Sequence, residues 1–352
     1  MKIIFDIRKI DDYGIGTYIK NIFGGLIKSG NFDYKIISLK GKIRDISDTK
    51  NTIEVNSKNY TITEHFEIPS KIKNLNDYYY FSPHYVFPYF IKNRFFITIH
   101  DIIHFKFSKL FPFYKVELAK LFIKKAKREA EIIFTVSNTT KKDLINYFGF
   151  REEKIKVIYN GIDEIFFKME KKDNKTDFPY ILYIGNTTPH KNLKTLLYSF
   201  LIFSKRVRDI KLMLVGIRDK REILNFIKKY KLENRIIIKS FLSFSELIPV
   251  IDNSLFFVFP SLYEGFGLPP LEVMARGKAV ISSTGGSLPE VLGDNALFFS
   301  PYSEEELSDK MYLLAENPEL RIDFEKKALN HSKKFKWDKF IETYVKILED
   351  YN

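Results

Sequence analysis

The stretch FPSLYEGFGLPPLEVMARGKAVIS, residues 259–282, links two apolar runs, and the reading of what lies between them decides how the chain folds. Just upstream, SLFFVFP (254–260) is short and continuously apolar, the pattern of a strand buried on both faces. SLYEGFG is then the loop at that strand's carboxyl end. Pro269 and Pro270 suit the first turn of a helix, whose early N–H groups lack intrahelical partners, and Gly277 suits its end. Glu264 is therefore expected in the loop and Glu272 near the helix's first turn, with Gly265 and Gly267 between them. If the two glycines fold the loop back, both carboxylates face one pocket and the N–H groups of residues 266–268 point at an anion or a hydroxyl-rich ligand. Two acids beside N–H donors suit general acid–base chemistry, metal binding or hydroxyl recognition. A capping acid next to a solvated one is the plain structural alternative.

Strand–helix alternation runs outward from this stretch in both directions. KIIFDI (2–7), FFITIH (95–100), EIIFTVS (131–137) and KIKVIYNG (154–161) read as strands, with a helical segment from Thr17 to Lys28. The charged, aperiodic segment EIFFKMEKKDNKTDF (164–178) reads as a linker. The pattern then restarts with YILYIG (180–185), IKLMLVG (210–216) and RIIIK (235–239), separated by helices near 191–205, 219–230 and 244–252. Such alternation builds parallel α/β sheets. A chain of 352 residues also exceeds what one core commonly holds. Two doubly wound domains are expected, at 1–163 and 179–335, with a ligand cleft between the carboxyl ends of their sheets. A final helix in 336–352 carries Phe340, Tyr344, Ile347 and Leu348 on one stripe.

Three further motifs fall at expected strand ends. YIGNTTPHKNLKTLLYSF (183–200) runs strand, glycine turn, helix, with Asn186 and His190 in the turn and Lys191 at the helix start. Helix N-termini favour anions, so a lysine there makes most sense beside a bound phosphate; a solvated surface lysine is the alternative. DDYGIGTY (11–18) places Gly14 and Gly16 after the first strand but fails the dinucleotide fingerprint, because Ile19 stands where the third glycine belongs. It remains a turn that lets backbone approach a phosphate or an acceptor. TIHD (98–101) puts His100 and Asp101 at a strand's carboxyl end, site-facing or merely structural.

Composition removes several classes. There is no cysteine, which excludes disulfides, thiolate zinc sites and a cysteine nucleophile, and which fits a reducing cytoplasm. The start MKIIFDIRKIDDYG lacks the apolar core of a signal peptide, and no stretch approaches the ~20 apolar residues that span a bilayer. The formal charge of +13 lies mostly in the first half. Proteome bias explains it, or attraction to an anionic surface. Residues 106–131 concentrate that charge: Lys106, Lys109, Lys115, Lys120, Lys124, Lys125, Lys127 and Arg128 alternate with Leu110, Phe111, Phe113, Tyr114, Leu118, Leu121 and Phe122. This segment reads either as a core helix with a solvated basic side or as a face that docks on anionic lipid. The basic residues are not interleaved with an aromatic recognition motif, so nucleic acid is not expected as a partner. No aspartate-x-aspartate pair or histidine cluster marks a metal site.

Taken together, the Glu264–Glu272 block running on through SSTGGSLPEVLGDNALFFSP, with GNTTPHKN, TIHD, TVSNTTKKDL and VIYNGID, resembles the retaining GT-B glycosyltransferases of family four. The likeness covers essentially the whole chain and is nearest to bacterial mannosyltransferases that build surface polysaccharides. It implies two Rossmann-like domains facing across a cleft, the C-terminal helix packing back on the first, acceptor-binding domain, and the second domain binding the nucleotide sugar. It implies that Glu264 contacts the donor sugar's hydroxyls and that Glu272 holds the ribose. Backbone from Gly265 through Phe266, Gly267 and Leu268 would lie along the donor, and Lys191 would neutralise the departing diphosphate. Gly14 and Gly16 would lie beneath that diphosphate, Asn186 and His190 beside it, His100 at the transferred sugar and Asp101 on the acceptor side. The donor would be GDP-mannose or a UDP-sugar, with no cofactor and no metal, and the acceptor a glycan or a lipid-linked molecule. The expected location is the cytoplasm, with docking on the inner face of the cytoplasmic membrane.

One departure stands out. The family commonly carries an arginine at the position of Asn186 or of His190, and here Arg276 or Arg218 is left to substitute. Retention in this family follows from attack by the acceptor hydroxyl on the face the diphosphate leaves, with a phosphate oxygen taking the proton. A sugar-nucleotide epimerase of the same architecture and a non-catalytic partner subunit are the competing readings. A phosphorylase is disfavoured by the chain's length.

Overall fold

The computed structural model describes residues 1–12, 14–41, 49–170 and 177–351. They form two compact units, Met1–Gly161 with Trp337–Asn352, and Ile162–Lys336.

The first unit holds a seven-stranded sheet: β1 (Lys2–Asp6), β2 (Asp33–Leu39), β3 (Thr52–Val55), β4 (Tyr79–Ser82), β5 (Phe95–Ile99), β6 (Ile132–Thr135) and β7 (Ile155–Val157). Their order is β3-β2-β1-β4-β5-β6-β7, and every pairing is parallel. The sequence dictates this arrangement: Phe95, Phe96, Ile97, Thr98 and Ile99 are all buried, as they must be in a sheet covered on both faces. The helix Ile15–Lys28 starts two residues earlier than its apolar spacing suggests, at a turn where Gly14 takes φ 79°.

The C-terminal helix Trp337–Asp350 belongs to this unit and packs on helix Ile15–Lys28. The approach is close: a Cβ on Gly25 would lie 2.5 Å from Ile341, and one on Gly161 would lie 2.5 Å from Trp337. Tyr344 is buried and its hydroxyl sits 2.6 Å from that of Tyr18, which lies 2.7 Å from Thr98 Oγ1 at the end of β5. The last helix is thereby tied to the centre of the first sheet.

The basic segment of this unit folds mainly as the helix Phe113–Glu129. Its faces sort differently from the sequence expectation. Phe122 is buried in the core, Phe111 packs 4.3 Å from the His104 ring, and Lys125 is buried and paired with Glu129. Lys106 is paired with Asp143 and Lys120 with Glu117. Phe113, Tyr114, Leu118 and Leu121 remain exposed, along with Lys115, Lys124, Lys127 and Arg128. A helix offers one stripe to its core, and Val116, Ala119, Phe122, Ile123 and Ala126 occupy it. Among the described residues, no helix is long and apolar enough to cross a membrane.

The second unit holds a six-stranded parallel sheet: β8 (Tyr180–Ile184), β9 (Lys211–Val215), β10 (Ile236–Lys239), β11 (Phe256–Phe259), β12 (Val280–Ser283) and β13 (Leu297–Phe299), in the order β10-β9-β8-β11-β12-β13. β8 and β11 are buried along their whole length. The segment expected to be a linker departs from that reading at its start. Ile165–Lys168 is a helical turn, and Phe166 is buried because the apolar IFF triplet has a core to enter. Residues 171–176 of that segment lie outside the described residues.

Candidate active site

In the second unit, the carboxyl ends of neighbouring strands β8 and β11 bring the acidic loop and the lysine turn together. After β8, Gly185 allows the chain to turn against the Tyr183 hydroxyl, which would lie 2.5 Å from a Cβ there. Asn186 is exposed. Its side chain accepts from the Thr188 N–H at 3.0 Å, and its carbonyl accepts from Tyr183 at 2.9 Å. Lys191 was expected at a helix start. It instead closes a 3-10 turn, Pro189–Lys191, and Asn192 with φ 56° intervenes before the helix Leu193–Arg206.

Glu264 lies in the loop after β11, as its sequence context requires. Lys191 Nζ donates to Glu264 Oε1 at 2.7 Å and sits 5.2 Å from the centre of the Phe259 ring. Both side chains are mostly shielded, with 16% and 14% exposure. The two loops are stitched by backbone as well: the Leu262 N–H donates to the His190 carbonyl at 2.7 Å, and the Asn192 amide donates to the carbonyls of Pro260 and Pro301.

Several residues that sequence reasoning passed over hold the Glu264 loop from its other side. A Cβ on Gly286 would lie 2.4 Å from the Glu264 carbonyl, and one on Gly285 would lie 2.4 Å from the Ser261 carbonyl. Ser287 donates to the Glu264 carbonyl through both its N–H and its hydroxyl. The paired glycines of SSTGGS were the available signal, because adjacent glycines beyond a buried strand mark a close backbone approach.

Gly265, Phe266 and Gly267 are buried, and Gly267 takes φ 93° ahead of the helix Leu268–Ala275. Pro269 and Pro270 carry no N–H, so among the first four helical residues only Leu268 and Leu271 offer a backbone donor. Glu272 is the fifth residue of this helix and belongs to its second turn rather than its first, because the helix already begins at Leu268. It is buried. Desolvation, with the charge of Asp163 second, raises its carboxyl to about 8.

Arg276 does not stand in for the missing family arginine. Its guanidinium is buried and paired with Asp252 at 2.7 Å, and it donates to the carbonyls of Phe166 and Met169. Arg218 is exposed, two residues beyond Gly216. Gly216 takes φ 91°, and a Cβ there would lie 2.9 Å from the Gly185 carbonyl. The β9 loop that carries Arg218 thus packs on the β8 loop that carries Asn186.

The remaining expected residues lie in the first unit. His100 follows β5, its Nε2 2.8 Å from the Pro83 carbonyl and its ring edge-on to Tyr18 at 4.8 Å. Burial lowers its pKa to about 4, so the ring is neutral. With the proton on Nε2 donated to Pro83, Nδ1 is an acceptor. Asp101 accepts at 2.9 Å from the N–H of Ile103, the first residue of the short helix Ile103–Lys106. The Gly16 N–H donates to the Asp12 carbonyl at 2.6 Å, and a Cβ on Gly16 would collide with the Ile10 carbonyl at 2.3 Å. Among the described residues, no group of three or more acidic or histidine side chains is arranged to hold a metal.

Two parallel-sheet Rossmann-like units with these loops define a class, the GT-B glycosyltransferases. The family model described as Glycosyltransferase Family 4 matches residues 14–165, and that described as Glycosyl transferases group 1 matches residues 164–331. The chain belongs to these glycosyltransferases. It is 28% identical over 222 residues to the serotype-specific mannosyltransferase WbdA of Escherichia coli, covering 59% of this chain and 27% of that protein. It is 27% identical over 279 residues to O-antigen chain mannosyltransferase B of Escherichia coli, covering 76% of this chain and 73% of that one. The chain thus spans about a quarter of the length of the first of these relatives. In fold it is similar to the Anabaena protein Alr3699/HepE solved with UDP-glucose, with TM-score 0.79, 17% identity, and coverage of 99% and 100% of the two chains.

Proposed function

We propose that this protein is a retaining hexosyltransferase that moves mannose from a nucleotide sugar to a glycan or lipid-linked acceptor in surface-polysaccharide synthesis. The observation that carries this reading is the Lys191–Glu264 pair, a cation and a carboxylate held together by two strand-end loops in the unit that also buries Glu272. Lys191 takes the charge that builds on the departing diphosphate in this reading, and preorganised charge of this kind is usually the largest single catalytic term. Glu264 accepts from the hexose hydroxyls and Glu272 from the ribose hydroxyls. His100, through Nδ1, accepts a hydroxyl of the transferred sugar. The bond from the anomeric carbon to the diphosphate oxygen breaks, the bond to the acceptor oxygen forms on the same face, and the acceptor's proton passes to the departing phosphate. Arg218, exposed on the loop after β9, is a candidate to assist Lys191.

GDP-mannose is the first donor to test, on the strength of the mannosyltransferase relatives, and UDP-sugars the second. A thermal-shift panel of nucleoside diphosphates and their sugars separates them. A ligand at 100 times its dissociation constant stabilises by about 2.7 kcal/mol. Release of free sugar or its transfer to a glycan supports transfer; an epimerised nucleotide sugar without acceptor, or no turnover at all, overturns it.

We further propose that the exposed face of helix Phe113–Glu129 rests on an anionic membrane surface. Phe113 and Tyr114 are 78% and 67% exposed, and Lys115, Lys124, Lys127 and Arg128 are exposed on the same helix. Cations flanking exposed apolar side chains complement an anionic headgroup layer.

A further inference from the structure

In the first unit the strand order reverses between β1 and β4. The chain moves outward from β1 through β2 to β3, then returns to place β4 on β1's other side. Doubly wound sheets bind ligands at such reversals, because neighbouring loops part there. Arg8 and Lys9 follow β1, His84 follows β4, and residues 56–63 follow β3.

A buried charge cluster ties these loops together. Arg8 donates to Asp6 at 2.9 and 2.6 Å and to the Ser57 carbonyl at 3.1 Å, and it pairs with Glu64 at 2.8 Å. The side chains of Arg8 and Glu64 are 0% exposed. Buried ion pairs seldom stabilise more than apolar packing would. The effect of this cluster is conformational. Glu64 accepts the Tyr60 N–H at 2.8 Å and holds Tyr60 at φ 67°, a left-handed backbone that an aromatic residue adopts at a cost. Tyr60 is left 57% exposed, stacked on His84 at 5.9 Å and 26°. Lys9 Nζ, paired with Asp12 at 2.9 Å, lies 3.2 Å from the Tyr60 hydroxyl and 4.7 Å from its ring centre, and the Asn59 amide lies 3.2 Å from His84 Nε2. A strained, exposed aromatic residue held out by buried charges is arranged for contact with something else.

We propose that Tyr60 is the platform on which a sugar ring of the acceptor stacks, with Lys9 and Asn59 hydrogen bonding to its hydroxyls. A pyranose presents a face of weakly positive C–H groups, which suits the negative face of an aromatic ring, and a rim of hydroxyls, which suits the polar side chains around it. A lipid alcohol or a bare phosphate has no such face. The platform also adjoins His100, whose Nε2 bonds the carbonyl of Pro83, the residue before His84. The inference rests on the glycosyltransferase reading and narrows its acceptor to a carbohydrate terminus.

Saturation-transfer NMR on the full chain, with and without GDP or UDP, tests this with α-mannobiose, maltose and cellobiose as probes. At least one disaccharide should bind the wild type and Tyr60→Trp, and should bind Tyr60→Gly at least tenfold more weakly. Glycine accepts φ 67° without strain, so Tyr60→Gly should melt no lower than wild type; Tyr60→Asn, also tolerant of that conformation, serves as a second variant. Equal binding by these variants, or no disaccharide bound by the wild type, overturns the platform. Thermal shifts with GDP and UDP on the same samples keep the two readings apart. A nucleotide shift without disaccharide binding removes the platform alone, and no nucleotide shift removes the transferase reading.

Discussion

Lys191 and Glu264, 73 residues apart in sequence, are joined by a 2.7 Å charge-assisted hydrogen bond between the loops that follow β8 and β11. With no ligand, each satisfies the other, so an arriving diphosphate must share or take Lys191 from Glu264. Glu264→Gln should therefore bind nucleoside diphosphate as tightly as wild type or more tightly, while turnover falls. Lys191→Ala should lose both nucleotide affinity and turnover, the latter by about 10²–10³, the scale for removing one preorganised contact. Calorimetry with GDP and UDP alongside initial rates separates the two roles. Equal loss of nucleotide affinity in both variants contradicts them.

Glu272 supplies a pH signature. Burial, then the charge of Asp163, raises its carboxyl to about 8 from an ordinary value of 4.5. Between those values the native state holds a proton that the unfolded chain has lost, so this group makes stability fall as pH rises. Glu272→Gln should flatten that slope and melt higher than wild type at pH 8. Its effect on ligand should be opposite. A carboxylate accepts ribose hydroxyls better than a carboxylic acid does, so nucleotide affinity should rise with pH toward 8, with a proton released on binding. Calorimetry in buffers of different ionisation enthalpy reads that proton, and its persistence in Glu272→Gln would refute the assignment.

Arg276 should behave as structure, not as chemistry. Its side chain and that of Asp252 are 3% and 5% exposed and 2.7 Å apart. Arg276→Leu leaves a buried unpaired carboxylate and should cost about 3–5 kcal/mol in urea unfolding. Adding Asp252→Leu should restore much of that. Nucleotide affinity of the folded protein should change little; a large selective loss of affinity would return Arg276 to the diphosphate.

What the sequence revealed, and what it hid, follows from the range of the interactions. Apolar runs such as YILYI and FFVF and the Gly–Pro frame around residues 265–270 are local signals, and the parallel α/β class and the placement of Glu264 are legible from them, whereas β2, β3, β4, β12 and β13 were not read from the sequence. Lys191 was legible as a site candidate, but its partner was not, because no local pattern links residue 191 to residue 264. Arg276 looked free for ligand for the same reason: Asp252 and the carbonyls that hold it are distant in sequence. Tyr60 gave no signal at all, since its left-handed backbone is imposed by Glu64 and Arg8 rather than by a glycine or asparagine preference of its own.

Membrane docking is testable because the structure divides the basic segment into working and non-working charges. Lys125 is buried against Glu129, so its replacement would perturb packing rather than binding. Lys115, Lys124 and Lys127 are exposed, beside Tyr114, Leu118 and Leu121. Each cation near an anionic surface contributes about 1 kcal/mol. Neutralising these three to Gln should weaken vesicle binding by roughly 3 kcal/mol, on the order of 100-fold, and reversing them to Glu by more, without lowering the melting temperature. Phe113→Ser with Tyr114→Ser should weaken binding by a route that salt does not reproduce, because it removes inserted apolar area rather than charge. Co-sedimentation with vesicles of graded anionic content reads both effects: wild-type binding should rise with anionic lipid and fall with salt. If the wild type ignores fully anionic vesicles at low salt, the helix face does not dock on lipid, and an acceptor in solution becomes the better reading.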